Sequence, residues 1–178
     1  LLQQRSIPFE SFEAHTLNIN IFKDIKKKAE KASRFLCTIS ENKTEWADEG
    51  RHNSHLLAVA PTTTNALICG GVSQGIEPVV ANLYNQQTSA GVLYRVNPVF
   101  LELAKERGKF DDALVADLTN TLGSVQHLDW LTDHEKMVFK TAYEIDQKAI
   151  IRMASARQRH ICQAQSLNLF FSADEDEE

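Results

Sequence analysis

The residues best suited to chemistry stand together at Pro61-Thr62-Thr63-Thr64-Asn65. They follow an almost unbroken apolar run, His55 to Ala60, and lead into a stretch with helical character. The first amides of a helix have no internal partners, and the helix dipole favours negative charge at that end. Threonine hydroxyls and an asparagine amide add further donors. Four such residues at a strand-to-helix junction can cradle a phosphate, a task of binding rather than bond making. Taken by themselves, the same residues would more commonly do no more than cap the helix.

Other reactive side chains are less suggestive. Cys37, Cys69 and Cys162 are odd in number and lack C-x-x-C spacing, which argues against a disulfide framework or structural zinc. Free cysteines usually pack as small apolar residues, and that is the expectation for Cys69 and Cys162. His52 and His55 fall on opposite faces of an extended segment and have no companion carboxylate or thiol, so a structural or surface role is expected. Glu77, just before Pro78, is either an active-site carboxylate or a hydrogen-bonded anchor of its turn. Tyr84, Tyr94 and Tyr143 are too scattered to form a pair.

The elements that must position these residues follow from periodicity. Leu1 to Arg5 reads as the end of an element begun earlier, and Ser6-Ile7-Pro8 offers a helix cap. Phe22, Ile25, Ala29, Ala32, Leu36 and Ile39 recur every three or four residues and predict a long amphipathic helix. Residues 42–53 are polar and read as a loop. His55 to Ala60 reads as a strand buried on both faces, and Thr62 to Cys69 as a short helix stopped by Gly70-Gly71. Val80 to Val96 predicts a hairpin about Ser89-Ala90-Gly91. Asn97-Pro98 opens a helix that Gly108 closes, and a short helix is expected from Asp111 to Leu122. Thr132-Asp133-His134-Glu135 has the capping-box pattern. The stretch after it places Val138, Ala142, Ile145, Ala149, Met153 and Ala156 on one face, with a possible break at Asp146. Leu167 to Phe171 reads as a second strand. Two strands, each entered from a helix, give an α/β pattern with parallel strands but too few of them to close a barrel.

The chain has 178 residues, enough for one domain with a real core. Five of its 24 acidic residues are the last five, Asp174 to Glu178. The remaining 19 balance the 19 lysines and arginines, so the body lacks the positive field a nucleic-acid binder needs. The Lys26-Lys27-Lys28 run fits the wet face of a helix. No 18-residue apolar run suggests a membrane span. Cysteine usage fits a reducing, cytoplasmic setting.

The segment from Gly50 through Asn53-Ser54, the apolar run and Ala60-Pro61-Thr62 resembles the large-subunit signature of class I ribonucleotide reductases. The likeness continues through Ile68-Cys69-Gly70-Gly71, Gly75-Ile76-Glu77-Pro78, Asn82-Leu83-Tyr84 and Asn97-Pro98. It resumes at Gly123-Ser124-Val125-Gln126, Phe139-Lys140-Thr141-Ala142 and Gln163-Ala164-Gln165-Ser166-Leu167-Asn168. The resemblance implies a partial segment of that family's ten-stranded α/β barrel, helix-rich with few strands. It makes residues 1–178 a single incomplete domain of the C-terminal barrel region, with 174–178 an acidic truncated end. It implies reduction of ribonucleotides to 2′-deoxyribonucleotides by radical chemistry, and it assigns Thr62, Thr63, Thr64 and Asn65 to the substrate's phosphates. No catalytic residue is expected here, because the motifs that carry the family's redox cysteines and tyrosine relay have no counterpart in the chain. No cofactor or metal is expected in this segment. The complete enzyme would draw a radical from a metal-containing small subunit and electrons from thiol reductants. The implied partners are a ribonucleoside diphosphate, the rest of the large subunit, a second large subunit and the small subunit, with no nucleic acid and no membrane. A split large subunit, with this chain as a docking piece, is the alternative. The chain departs from the family at His52, where arginine or an aromatic is usual, at Ser73-Gln74-Gly75, and in the polarity of Thr63-Thr64-Asn65. These departures bear on substrate preference.

Overall fold

A computed structural model describes residues 1–69, 75–88 and 91–172. Its elements are α1 (Phe12–Ile39), α2 (Thr63–Ile68), β1 (Leu83–Thr88), β2 (Gly91–Val96), α3 (Pro98–Glu106), α4 (Asp112–Asn120), α5 (Asp133–Val138) and α6 (Gln147–Gln158). The expected stop at Gly70-Gly71, the Ser73-Gln74 departure, the Ser89-Ala90 turn and the acidic end lie outside the described residues.

Local signals account for most of the boundaries. Asn97 caps α3 by accepting from Val99 N at 3.2 Å, with Pro98 at the first helical position. Thr132 and Glu135 form the reciprocal capping box of α5. The break at Asp146 is real: its side chain accepts from Lys148 N and starts α6 as a separate helix. The first cap falls elsewhere than expected. Ser11, not Ser6, accepts from Ala14 N at 3.1 Å, while Ser6 adopts a left-handed conformation that closes a short 3-10 turn.

β1 and β2 pair antiparallel from Leu83↔Val96 to Thr88↔Gly91. With α3, α4 and α5 they enclose the main core: Leu83, Phe100, Leu114, Leu118, Val125 and Phe139, with their neighbours. Phe100 is fully buried and meets Phe139 edge-on, the ring centroids 5.5 Å apart. The buried Asn82 ties this unit together. Its Nδ2 donates to Gly123 O at 3.1 Å and Phe139 O at 2.8 Å, and its Oδ1 accepts from Asn97 Nδ2 at 2.9 Å. Gly123 has φ +79°, and a Cβ there would lie 2.6 Å from Ala81 Cβ, so only glycine fits. The expected family motifs Asn82, Asn97-Pro98 and Gly123 are thus one packed unit.

The other half is less enclosed. α1 is about 42 Å long at 1.5 Å per residue for its 28 residues. Its first half packs on α6 through a cluster of Ile7, Ala14, Leu17 and Met153. Ile25, Phe35, Leu36 and Ile39 remain exposed, Ile39 at 59%. The predicted apolar face therefore exists but is not a buried face, because α6 reaches only the first half of the helix.

The two expected strands are also corrected. Neither His55–Ala60 nor Leu167–Phe171 forms a strand. The first run is bridged once, in parallel, at Val59↔Gln165, and Gln165 lies just before the second run rather than within it. Gln163 N donates to Leu57 O at 3.1 Å, Val59 N to Ala164 O at 3.2 Å and Ser166 N to Val59 O at 2.8 Å. The parallel direction is as expected. Burial on both faces is not, since His55, Ala58 and Ala60 are exposed. A parallel strand needs ladder partners at its edges and cover on its faces. This seam has only one neighbour among the described residues.

Candidate functional site

The seam delivers the chain directly to the candidate phosphate segment. Pro61 ends the extended run, and Thr62 carries the first helical carbonyl, accepting from Ala66 N at 2.8 Å. α2 then runs from Thr63, and Asn65 O accepts from Cys69 N at 2.9 Å. Ala66, 3% exposed, anchors the turn, while Asn65 is exposed and Thr62 half-buried. The four expected residues therefore occupy consecutive positions at the opening turn of one short helix. In that geometry the amides of residues 63–65 precede any helical acceptor.

The other residues singled out in the sequence are each placed by contacts of their own. Glu77 is half-buried, and its Oε1 accepts from Asn168 N at 2.8 Å and Asn168 Nδ2 at 3.3 Å. It is a hydrogen-bonded anchor, as one reading had it, and the Asn168 it holds lies far along the chain. Ser33, buried on α1, accepts from His52 N and Asn53 N at 3.1 Å each and donates to Asn53 Oδ1. This fixes the loop that precedes the seam. His52 and His55 do not converge: the half-buried His52 is held through its backbone, and His55 Nδ1 meets only Ser54 Oγ at 3.1 Å. Among the described residues no group of three or more His, Cys, Asp or Glu is placed to hold a metal.

Cys69 and Cys162 are both exposed, contrary to the expectation that they pack as small apolar residues. Cys162 Sγ accepts from Leu56 N at 3.0 Å and Leu57 N at 3.1 Å. Burial pushes its thiol up, but these backbone donors outweigh that and hold it below the usual thiol range. Its place is the seam, where it helps clasp residues 56 and 57.

Nothing in the sequence pointed to Arg157, and Gln165 stood out only as part of the motif from Gln163 to Asn168, with no role attached. Arg157, on α6, is 2% exposed. Its Nε donates to Gln165 Oε1 at 2.6 Å, and its guanidinium lies 5.8 Å from the centre of the Phe22 ring on α1. Gln165 Nε2 donates to Ala154 O at 3.0 Å and to Gln158 Oε1 at 2.5 Å. Arg157 lies on a helix whose apolar spacing was legible, yet its own burial leaves no periodic mark.

A helix-rich unit with a parallel seam opening into a polar helix start matches a known domain class. Residues 3–178 match the family described as "Ribonucleotide reductase, barrel domain", and the chain belongs to that family. A large-subunit relative from Frog virus 3 (isolate Goorha) is 40% identical across 98% of this chain and 31% of its own length. The ribonucleoside-diphosphate reductase large subunit of Invertebrate iridescent virus 6 is 38% identical across 97% of this chain and 18% of its length. The solved alpha subunit of the Actinobacillus ureae class Id ribonucleotide reductase aligns with a TM-score of 0.86 and 38% identity, over 94% of this chain and 30% of that one. The chain thus spans about a third or less of these relatives, and its fold is a partial α/β barrel with few strands.

Proposed function

We propose that this chain supplies barrel scaffold and substrate-phosphate contacts to the large subunit of a ribonucleoside-diphosphate reductase. The complete protein would be an oxidoreductase that reduces ribonucleotides to 2′-deoxyribonucleotides in the cytoplasm. The observation that carries this reading is the turn at Thr62, Thr63, Thr64 and Asn65, delivered by the seam in a chain 40% identical to a large-subunit relative along almost its whole length. Backbone amides and short polar side chains at that turn would hold the diphosphate and fix the nucleotide. Residues 1–178 then form one incomplete domain, part of a larger barrel, with 174–178 an acidic segment of its sequence.

The radical and the reducing thiols would come from elsewhere: a metal-containing small subunit, and cysteines outside the matched motifs. No residue of this chain is assigned a bond-making step. A second large subunit completes the proposed assembly. The test is to titrate ADP into the protein and follow the amide resonances of residues 62–65, with adenosine as control. Shifts with ADP and none with adenosine are expected. Equal responses to both would remove the phosphate assignment.

A second reading, that the chain is a docking piece of a split large subunit, is favoured by one observation. Phe35, Leu36 and Ile39 lie exposed along α1. An apolar row of this kind is a surface that association would cover. Co-purification of a separate polypeptide bearing the redox cysteines would support it, and a single continuous large subunit would refute it.

A further inference from the structure

Arg157 is costly where it sits. The residue is 2% exposed, and its Nη2 has no hydrogen-bond partner among the described residues. Among the described residues no carboxylate forms an ion pair with it. Burial pushes it down to about 10, and the charge of Glu77 only partly offsets this. An arginine kept in such a place needs an explanation beyond filling space, because an apolar side chain of similar length would fill it without stranding a donor.

Its bonds supply the explanation. Nε grips Gln165 Oε1 at 2.6 Å, and Nη1 reaches Asn18 Oδ1 of α1 at 3.4 Å. Asn18 Nδ2 in turn donates to Met153 O at 3.0 Å. Gln165 is the residue bridged to Val59, and its amide is also held by Ala154 O and Gln158 Oε1 of α6. Glu77 holds Asn168 three positions further on. One guanidinium therefore joins α1, α6 and the strand-like segment whose backbone pairs with Val59. Val59 lies three residues before Thr62, and Pro61 between them leaves little freedom for the intervening backbone.

We propose that Arg157 is a positioning residue that sets the Val59–Gln165 register and thereby orients the Thr62–Asn65 turn toward a diphosphate. The inference rests on the phosphate reading given above. It adds that the turn is oriented from the far side of the seam, through Gln165, rather than by α2 itself.

The experiment compares the wild-type full chain with Arg157→Met, Arg157→Lys and Gln165→Met. Two readouts are used: amide hydrogen exchange, and affinity for inorganic pyrophosphate followed at residues 62–65. Methionine fills the space without donating, whereas lysine can still donate to Gln165 Oε1. Arg157→Met is expected to speed exchange at the Val59 and Ser166 amides about tenfold, the order expected for one lost charge-assisted hydrogen bond. Amides of the β1–β2 hairpin should not change, and pyrophosphate affinity should fall by a similar factor. Arg157→Lys should recover part of both losses. Gln165→Met breaks the same bond from the other side and should reproduce the methionine phenotype even if Arg157→Met does not fold. Unchanged seam exchange in both methionine variants overturns the proposal. So does faster exchange with pyrophosphate affinity intact, since the seam would then not orient the turn. If the wild-type chain shows no pyrophosphate response at residues 62–65, the phosphate reading fails, and the orienting role with it. The exchange readout then still reports separately whether Arg157 holds the register.

Discussion

The unit built from β1, β2, α3, α4 and α5 and the region built from α1 and the Val59–Gln165 seam solve the same packing problem with opposite results. The first closes its own core around Phe100, with Asn82 satisfying backbone groups from two loops. The second leaves Phe35, Leu36 and Ile39 in water and, among the described residues, ties its extended run to the segment at Gln165 through a single parallel bridge. Both carry apolar residues at helical spacing. The difference is where the partners lie: within about 60 residues for the first unit, and more than about 100 residues along the chain for the second. The candidate phosphate turn belongs to the second region, whose geometry depends on a few polar clasps rather than on a deep core.

Substitutions that probe the two regions should differ most in their cost. Phe100→Ala should lower unfolding free energy by about 3–5 kcal/mol, the range for emptying a buried aromatic site. Ile39→Ala, at an exposed position, should change it by less than about 0.5 kcal/mol. Urea unfolding followed by circular dichroism would measure both, and comparable losses would erase the contrast. Gly123→Ala comes next. It forces a left-handed φ on an L-residue and drives a methyl into Ala81 and the Asn82 backbone, so a loss of more than about 1 kcal/mol is expected by the same measurement.

The smaller effects lie at α5. Thr132→Ala removes half of the capping box and should cost about 1 kcal/mol, read as a lower urea midpoint with an unchanged slope. At the same cap, burial pushes the Glu135 carboxyl up, but the Thr132 amide and the Arg107 guanidinium outweigh it and hold it below the usual carboxylate range. A carboxyl depressed on folding adds stability above its unfolded value and loses it as pH falls through the folded one. The wild type should therefore exceed Glu135→Gln in stability at neutral pH, with the gap closing below about pH 4, near the ordinary glutamate value. Thermal midpoints of both proteins across that range would reveal it. A constant gap would show that the bond geometry matters and the charge does not.

The sequence was most legible where structure is local. The Asn97-Pro98 start, the Thr132 box, the break at Asp146 and the hairpin all rest on contacts within a few residues, and all are present. It was less legible where partners are distant. The run from His55 to Ala60 has the composition of a buried parallel strand, but composition does not say whether two neighbours are there to pair with it. The α1 periodicity marked a face correctly without saying what covers it. Within the candidate site, Thr62 to Asn65 could be read from residue type and resemblance. Arg157 could not, and Gln165 could be read only as part of a motif, because a buried arginine on a helix looks like any exposed one until the fold brings Gln165 and Asn18 to it.

Native-state hydrogen exchange along the whole chain, under conditions where opening is a fast pre-equilibrium and chemical exchange limits the rate, tests the contrast most directly. The account predicts that amides of α3 and α4 exchange only through global unfolding. The Val59 and Ser166 amides should open locally, with a free energy several kcal/mol smaller, and should slow when pyrophosphate is added. Uniform protection across both regions, with no response at the seam to pyrophosphate, would contradict it.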